Sequence, residues 1–203
     1  MKKLIFSSIL GFSLLLSACT DPKEKLVNDE TDGTKQSVSQ NSYTNEYGQF
    51  EIITQKKKLN FTETADNISL TLQSIEQGKV KLTDDYAPNY ENLIDDDGYV
   101  SYLKAHMKID APVDELTDAI RFYPYQAIIH TNTGHATQSE STLSDKVSIQ
   151  HHEPMQLEGD IYFLLGDQED FQHITIKVLA PFNQATNLSI GENLAFTIDL
   201  TEK

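Results

Sequence analysis

From residue 49 onward, apolar and polar residues alternate along the chain with a period of two. The alternation is most regular in four stretches, residues 68–73, 103–110, 174–178 and 194–200. Successive side chains of a β-strand point to opposite faces of the sheet. Each stretch therefore predicts a strand with one buried and one solvated face.

Two further runs, residues 127–129 and 161–165, are short and apolar throughout, which predicts strands near the middle of a sandwich. Turn signals that contain glycine separate the predicted strands at residues 132–134, 158–160 and 190–192. The pattern thus divides the region into short extended elements.

The one helical candidate is the segment 112–120, where Val113, Leu116 and Ile120 share a helical face over at most two turns. About seven short strands with so little helix predict an all-β fold, an antiparallel sandwich of two sheets. A closed β-barrel is the alternative that the pattern leaves open.

The start of the chain has a different pattern. Lys2 and Lys3 precede an apolar stretch, residues 4–16, that is broken only by small residues. A helix needs about 20 apolar residues to cross the hydrocarbon core of a membrane, so this stretch is too short to span it. Its length and flanks predict a signal peptide over residues 1–18.

The residues Leu16-Ser17-Ala18-Cys19 resemble the lipobox of bacterial lipoproteins. The resemblance implies cleavage between Ala18 and Cys19 and acylation of the Cys19 thiol, with palmitate-type chains that hold the protein on the outer side of the cell membrane. Two or more acyl chains anchor a protein stably. The alternative is an ordinary secretory cleavage site beside an incidental thiol.

Residues 19–48 are rich in charged and small polar residues and contain few apolar ones. Such a segment cannot bury enough surface to fold alone, so it predicts a disordered tether between the lipidated cysteine and a domain over residues 49–203.

The chain is acidic, with a formal net charge of −15. This charge opposes binding to nucleic acid phosphates and adsorption to anionic lipids, so we expect no nucleic acid partner and a membrane contact only through the anchor. A single cysteine excludes an intramolecular disulfide, so the core must be stable without one.

The order of features between residues 99 and 200 resembles a group of lipoproteins from Gram-positive bacteria that carry an immunoglobulin-like domain of unknown function. The matching features are the strand from Tyr102 to Ile109, then Phe122-Tyr123-Pro124, the turn at 131–134 and the run at 157–163. The resemblance implies an immunoglobulin-like sandwich and an extracellular location, and it carries over no functional residue.

Sequence motifs of hydrolases, zinc proteases, nucleotide-binding loops and thiol redox proteins are absent from the sequence. We therefore expect no enzymatic activity and assign no catalytic residue. No cofactor is expected either, with one exception that depends on the acidic segment 84–99.

The segment 84–99 is dense in carboxylates and tyrosines. Asp95 and Asp97 are candidate calcium ligands, because calcium prefers several oxygen donors. An EF-hand alignment on Gly98 fails, since it places Leu93 and Lys104 at ligand positions. A solvated loop that covers one end of the sandwich is the simpler interpretation.

A third interpretation makes the same segment a loop that binds a partner, since tyrosine gives large contact area at low entropic cost. The residues of this candidate surface are Asp84, Asp85, Tyr86, Tyr90 and Tyr99.

The histidines and lysines suggest weaker candidates. His130 and His135 flank a turn, and His151 and His152 are adjacent, but tetrahedral zinc normally needs a third protein ligand. Surface histidines are the simpler interpretation. Residues 56–58 are three lysines, which predicts protection of an edge strand against aggregation.

Three functional hypotheses follow. The first is a non-enzymatic binding module, anchored to the membrane through Cys19, that engages an envelope protein, a wall polymer or a small ligand. The second is a protein that binds or senses a divalent cation through the acidic segment. The third, an accessory to a cell-wall hydrolase, depends on the predicted location alone.

Overall fold

The computed structural model describes residues 41–111, 119–150, 155–166 and 171–201. Its strands are β1 (Asn41–Thr44), β2 (Gly48–Ala65), β3 (Ile68–Leu82), β4 (Val100–Ala111), β5 (Ile120–Arg121), β6 (Ile128–Thr131), β7 (Ala136–Gln138), β8 (Met155–Gly166), β9 (His173–Val178), β10 (Phe182–Asn183), β11 (Leu188–Ser189) and β12 (Leu194–Asp199). Within these residues, single-turn 3₁₀ helices lie at Ala87–Asn89, Glu91–Leu93 and Pro124–Gln126.

The first sheet has five antiparallel strands in the order β1-β2-β3-β4-β8. Strands β3 and β4 contain the alternating patterns at 68–73 and 103–110, and each places one set of side chains on the buried face. The apolar run at 161–165 lies in β8 and is buried throughout. These predicted strands are confirmed.

The second sheet has four antiparallel strands in the order β12-β9-β6-β7. The chain passes from β4 to β6 and β7, returns to the first sheet in β8, and crosses again to β9. Because β8 pairs with β4 and β9 pairs with β6, the connections alternate between the sheets, as in immunoglobulin-like sandwiches.

The main core lies between the two sheets. Its buried side chains come from β3, β4 and β8 on one side and from β6, β9 and β12 on the other, and they include Leu72, Met107, Phe163, Ile176 and Phe196. The prediction of an all-β antiparallel sandwich is thus confirmed. The described strands form open sheets, two large ones that face each other and one small one, rather than one closed barrel.

The described part of the chain holds more strands than the seven expected. β5, β10 and β11 have two residues each and form a small separate sheet in the order β11-β10-β5. Two-residue strands contain no measurable alternation, so their absence from the sequence prediction has a simple cause.

The first sheet begins earlier than the domain boundary predicted at residue 49. β1 starts at Asn41 and pairs with β2 in four residue pairs, from Asn41 with Ile52 to Thr44 with Gln49. Ordered structure thus extends into the segment predicted as tether. The predicted signal peptide, Ala18, Cys19 and the rest of the tether lie outside the described residues.

Two local predictions need correction. Residues 158–160 were expected to form a turn but lie inside β8, where Gly159 is required because a Cβ would lie 2.6 Å from the Asp145 Cβ. Ile120 was expected to end a helix but begins β5, and residues 112–118 of that predicted helix are outside the described residues.

A second, smaller core lies on the face of the five-stranded sheet that is turned away from the main core. It contains Phe50, Val80, Tyr102, Tyr162 and Leu164, among others. Successive side chains of β4 and β8 point alternately into the second core and the main core. Both faces of these strands are therefore buried at this end of the sheet.

The five-stranded sheet is curled around this second core. Tyr43 lies in β1 and Tyr162 in β8, the two outermost strands, yet their hydroxyl oxygens are 3.3 Å apart. Four strand spacings of about 4.8 Å would separate these strands by roughly 19 Å in a flat sheet. Curling and inward-leaning rings close that distance.

No helix within the described ranges is long and apolar enough to cross a membrane.

Candidate functional site

A pocket of about 420 Å³ opens at the end of the sandwich where β9 ends and β12 begins. We call it the end pocket. Its volume falls in the range of about 300–1,000 Å³ typical of small-molecule sites. Its lining residues are Tyr123, Gln126, Leu179, Ala180, Phe182, Asn187, Ser189 and Asn193.

One wall of the end pocket is the segment that precedes β6. The 3₁₀ helix at Pro124–Gln126 begins with a buried proline, which fixes its backbone angle. Phe122 forms a bridge with Ile149, and the Ser139 hydroxyl donates a hydrogen bond to the Tyr125 carbonyl at 2.5 Å. These contacts hold the intervening Tyr123 in place.

The opposite wall is the loop from β9 to β12, which contains the small sheet. Phe182 pairs with Arg121 on one side and Ser189 on the other. The Asn183 side chain accepts hydrogen bonds from the backbone N–H groups of Ala185 and Thr186, at 2.9 and 3.1 Å, and so closes the turn between β10 and β11. The loop is therefore held in one shape.

Asn193 links this loop to the sandwich. Its Oδ1 accepts a hydrogen bond from the Ala180 N–H at 2.9 Å, which identifies the oxygen of the amide and leaves its NH₂ group without a partner among the described residues. A donor without a partner in the wall of a pocket is suited to contact with a ligand acceptor.

The lining combines ring faces with neutral polar groups. Tyr123 and Phe182 are half-buried, and their ring centroids are 6.0 Å apart. The polar members are amides and one hydroxyl, and no lining residue carries a charge. In a chain with net charge −15, this surface is suited to a neutral ligand rather than an ion.

Two leucines are exposed beside the end pocket. Leu179 is 66 % exposed and lies in its wall, and Leu188, at 67 %, precedes the lining residue Ser189. Exposed apolar side chains beside a pocket are typical of binding surfaces. They extend the apolar area that a ligand or partner can cover.

A buried polar cluster lies within the second core. Glu76 is 3 % exposed, and its Oε1 accepts hydrogen bonds from Tyr102 at 2.8 Å and Tyr43 at 3.2 Å. Lys104 Nζ lies 3.1 Å from the same oxygen, and Gln55 donates to Oε2 at 3.1 Å. Every oxygen of this buried carboxylate is thus satisfied.

Lys104 connects this cluster to the surface. Its Nζ lies 3.6 Å from Asp160 Oδ2 and 5.0 Å from the centre of the Tyr43 ring. Burial lowers the pKa of Lys104, but the Coulombic effects of Tyr162, Asp160 and Glu76 outweigh it and raise the pKa. Lys104 is therefore held in its charged form.

The tyrosines of the cluster are held neutral. Burial raises the pKa of Tyr43 to about 12, and burial also raises the pKa values of Tyr102 and Tyr162. A neutral phenol can donate a hydrogen bond, whereas a phenolate cannot. With every member engaged, the cluster fixes the curl of the sheet and presents no free nucleophile.

The acidic segment 84–99 covers the second core. Tyr86 and Tyr90 pack against that core, and Tyr99 donates a hydrogen bond to Glu51 at 3.1 Å. Asp84 and Asp85 are exposed. The candidate partner-binding residues thus divide into an exposed acidic pair and tyrosines that pack or hydrogen-bond within the domain.

Asp95 closes its own loop. Its Oδ1 accepts hydrogen bonds from the N–H groups of Asp97 and Tyr99, at 3.0 and 2.8 Å, and Oδ2 lies 3.3 Å from Lys79 Nζ. The Tyr99 N–H and Lys79 lower the pKa of Asp95 against a smaller opposing effect of burial. Asp97 is exposed.

The other sequence candidates are placed as follows. His130 pairs in register with Ala136, and His135 lies in the turn between β6 and β7. His151 and His152 lie outside the described residues. Over the ranges that the structure describes, His, Cys, Asp and Glu form no group of three that would hold a metal ion.

Residues 56–58 lie at a bulge of β2, where Lys58 and Asn60 have positive φ angles of 62° and 51°. Lys56 Nζ donates a hydrogen bond to the Asp199 carbonyl at 2.6 Å and so ties β2 to β12. The pairing of β2 with β3 shifts register at this point, between Lys57 and Phe61.

The sequence prediction did not identify the end pocket. Tyr123 stands in the stretch that carried the family resemblance, but Phe182 and Asn193 lie in loops without any motif. The sequence gives one indirect indication: Leu179, Phe182 and Leu188 lie close together but without the period of two that a core strand would show.

No protein-family profile and no curated protein matches the sequence. Among solved structures, the domain is similar to a protein of unknown function from Listeria monocytogenes EGD-e, with a TM-score of 0.49 and 9 % identity. The match covers 76 % of this chain and 89 % of the other.

Proposed function

We propose that this chain is a lipoprotein anchored through Cys19 on the outer side of the cell membrane, and that its sandwich domain is a non-enzymatic binding module. The observation that carries the binding role is the end pocket. It is preformed, because hydrogen bonds and a small sheet fix both of its walls. Pre-organised walls reduce the entropy that a ligand must overcome on binding.

The position of the end pocket fits this role. Binding residues in sandwich proteins concentrate in the loops at the ends of the sheets, which a rigid scaffold holds in place. Tyr123 and Phe182 lie in such loops, while the buried cores stabilise the sheets behind them. An anchored domain of this kind would present the pocket to molecules of the envelope.

The binding role can be tested by filling the pocket. The full-length chain would be extracted with detergent, immobilised and exposed to envelope proteins, glycans and lipids that have been fractionated separately. Ser189→Trp should abolish retention of the bound component, because the large ring would occupy the pocket. Ser141→Trp, the same change at an exposed turn, should leave retention unchanged.

Two results would overturn the binding proposal. One is that no fraction is retained by the unmodified chain. The other is that Ser189→Trp retains the component as well as Ser141→Trp does.

The anchor has an independent test. Mass spectrometry of the N-terminal peptide from membrane-extracted protein should show a chain that begins at Cys19 and carries acyl groups, and Cys19→Ala should release the protein from the membrane fraction. An unmodified thiol at Cys19, or a Cys19→Ala chain that stays with the membrane, would exclude the anchor.

A further inference from the structure

The chemistry of the end pocket narrows the class of ligand, provided that the pocket is the binding site proposed above. Its two aromatic residues, Tyr123 on one wall and Phe182 on the other, have ring centroids 6.0 Å apart and rings inclined at 49° to each other. A flat or chair-shaped ring with an apolar face can stack on such a surface.

The polar groups of the pocket add a second requirement. The Asn193 NH₂ group is a donor without a described partner. Gln126 uses its Nε2 toward the Tyr125 hydroxyl at 3.3 Å, which leaves its Oε1 as an acceptor. Asn187 and Ser189 add an amide and a hydroxyl. A ligand must therefore supply both acceptors and donors next to its apolar face.

Charge supplies the third requirement. The eight residues that line the end pocket contain no Asp, Glu, Lys, Arg or His, so an ionic ligand would lose its hydration without gaining an ion pair. A ligand with an apolar ring face, several hydroxyl or amide groups and no net charge is a saccharide ring. We infer that the end pocket binds neutral sugar rings of a glycan, with one sugar ring stacked on Tyr123 and in edge contact with Phe182.

A leucine-rich neutral peptide is the competing occupant, since Leu179 and Leu188 are exposed beside the pocket. The two occupants differ in what they need from Tyr123. A sugar needs the flat face of the ring, whereas a peptide side chain needs apolar volume. The substitutions Tyr123→Phe and Tyr123→Leu separate these needs.

The experiment measures binding of two neutral probes, cellotetraose and chitotetraose, to the detergent-extracted full-length chain by calorimetry. We expect at least one probe to bind, Tyr123→Phe to keep its Kd within about threefold, and Tyr123→Leu to weaken it by about tenfold, which corresponds to about 1.4 kcal/mol. Tyr47→Ala is the control, because Tyr47 is a half-buried tyrosine outside the pocket.

If neither probe binds, the saccharide inference is overturned. The inference is also overturned if a sugar probe binds Tyr123→Leu as tightly as it binds the unmodified chain. In that case, binding of a leucine-rich peptide to both chains would point to a peptide as the ligand. Folding of each variant is checked by its circular dichroism spectrum, and Phe182→Leu repeats the comparison at the second ring. If no sugar binds but Ser189→Trp still abolishes retention of an envelope component, the binding module stands and the ligand class alone is wrong.

Discussion

The buried cluster around Glu76 gives the sharpest test of how the second core is stabilised. Glu76→Gln keeps the shape of the side chain but removes its charge and turns one acceptor into a donor. The atoms around the carboxylate are the donors of Tyr43, Tyr102, Gln55 and Lys104. The new NH₂ group would face at least one of these donors, and Lys104 would lose its nearest negative charge.

The magnitude follows from the geometry. Removing one partner of a buried ion pair typically costs about 3–5 kcal/mol. Lys104 would keep Asp160 at 3.6 Å and the ring of Tyr43, and its side chain is 15 % exposed, so we expect the lower end, about 3 kcal/mol. For a domain of this size, the corresponding fall in Tm is roughly 6–12 °C.

The assay is thermal and urea unfolding followed by circular dichroism at neutral pH. The matched control is Glu63→Gln, the same change at an exposed position of β2, which should alter the free energy of unfolding by less than about 0.5 kcal/mol. A double-mutant cycle with Lys104→Met should give a coupling energy of about 2 kcal/mol. A loss below about 1 kcal/mol for Glu76→Gln, or a coupling energy near zero, would refute the reasoning.

Three further outcomes can be measured on the same chain. Gly159→Ala should reduce the free energy of unfolding by about 1–3 kcal/mol, because a Cβ would lie 2.6 Å from the Asp145 Cβ and 2.8 Å from the Val147 Cγ2. Tyr43 has its pKa raised to about 12, whereas an unfolded tyrosine ionises near 10, so stability should fall as pH rises between these values, and Tyr43→Phe should show a smaller fall in alkaline unfolding experiments. Asp95→Ala should cost about 1 kcal/mol at neutral pH. Because the folded pKa of Asp95 is lowered, that difference from the unmodified chain should disappear as pH falls through it.

The alternation of apolar residues was sufficient to locate the strands of the main core. β3, β4, β9 and β12 each turn one face toward the main core, so every second residue must be apolar there, and this constraint is visible in the sequence. The sandwich class followed from these strands and from the shortage of helical periodicity.

The strand β2 shows why the rest was not predicted. Its side chains are mostly exposed or half-exposed after Ile52, and two shifts of register interrupt its pairing with β3. Because this part of β2 buries neither of its faces, its sequence shows no alternation of apolar and polar residues. The turn expected at 158–160 was wrong for a different reason. Gly159 allows its backbone to lie close to Asp145, and a glycine in the sequence does not show whether it serves such a contact or a turn.

The site was less predictable than the fold. The acidic segment 84–99 attracted attention because its composition is unusual, yet Tyr86, Tyr90 and Asp95 serve contacts within the domain. The end pocket, in contrast, is built from common residues that meet only after the loops have folded. Its lining is uncharged although the chain is acidic, and no local sequence motif indicates this.

The position of β1 at the edge of the sheet has a mechanical consequence. A pull on the chain ahead of Asn41 would reach the domain first through β1, and only four residue pairs join this strand to β2. The pairs would separate one after another, with the ring of Tyr43 as the main resistance, since it stacks on Phe50 at 4.8 Å. Under traction the domain would therefore yield first at β1, while the strands of the main core and the loops of the end pocket, which take no part in this ladder, keep their arrangement.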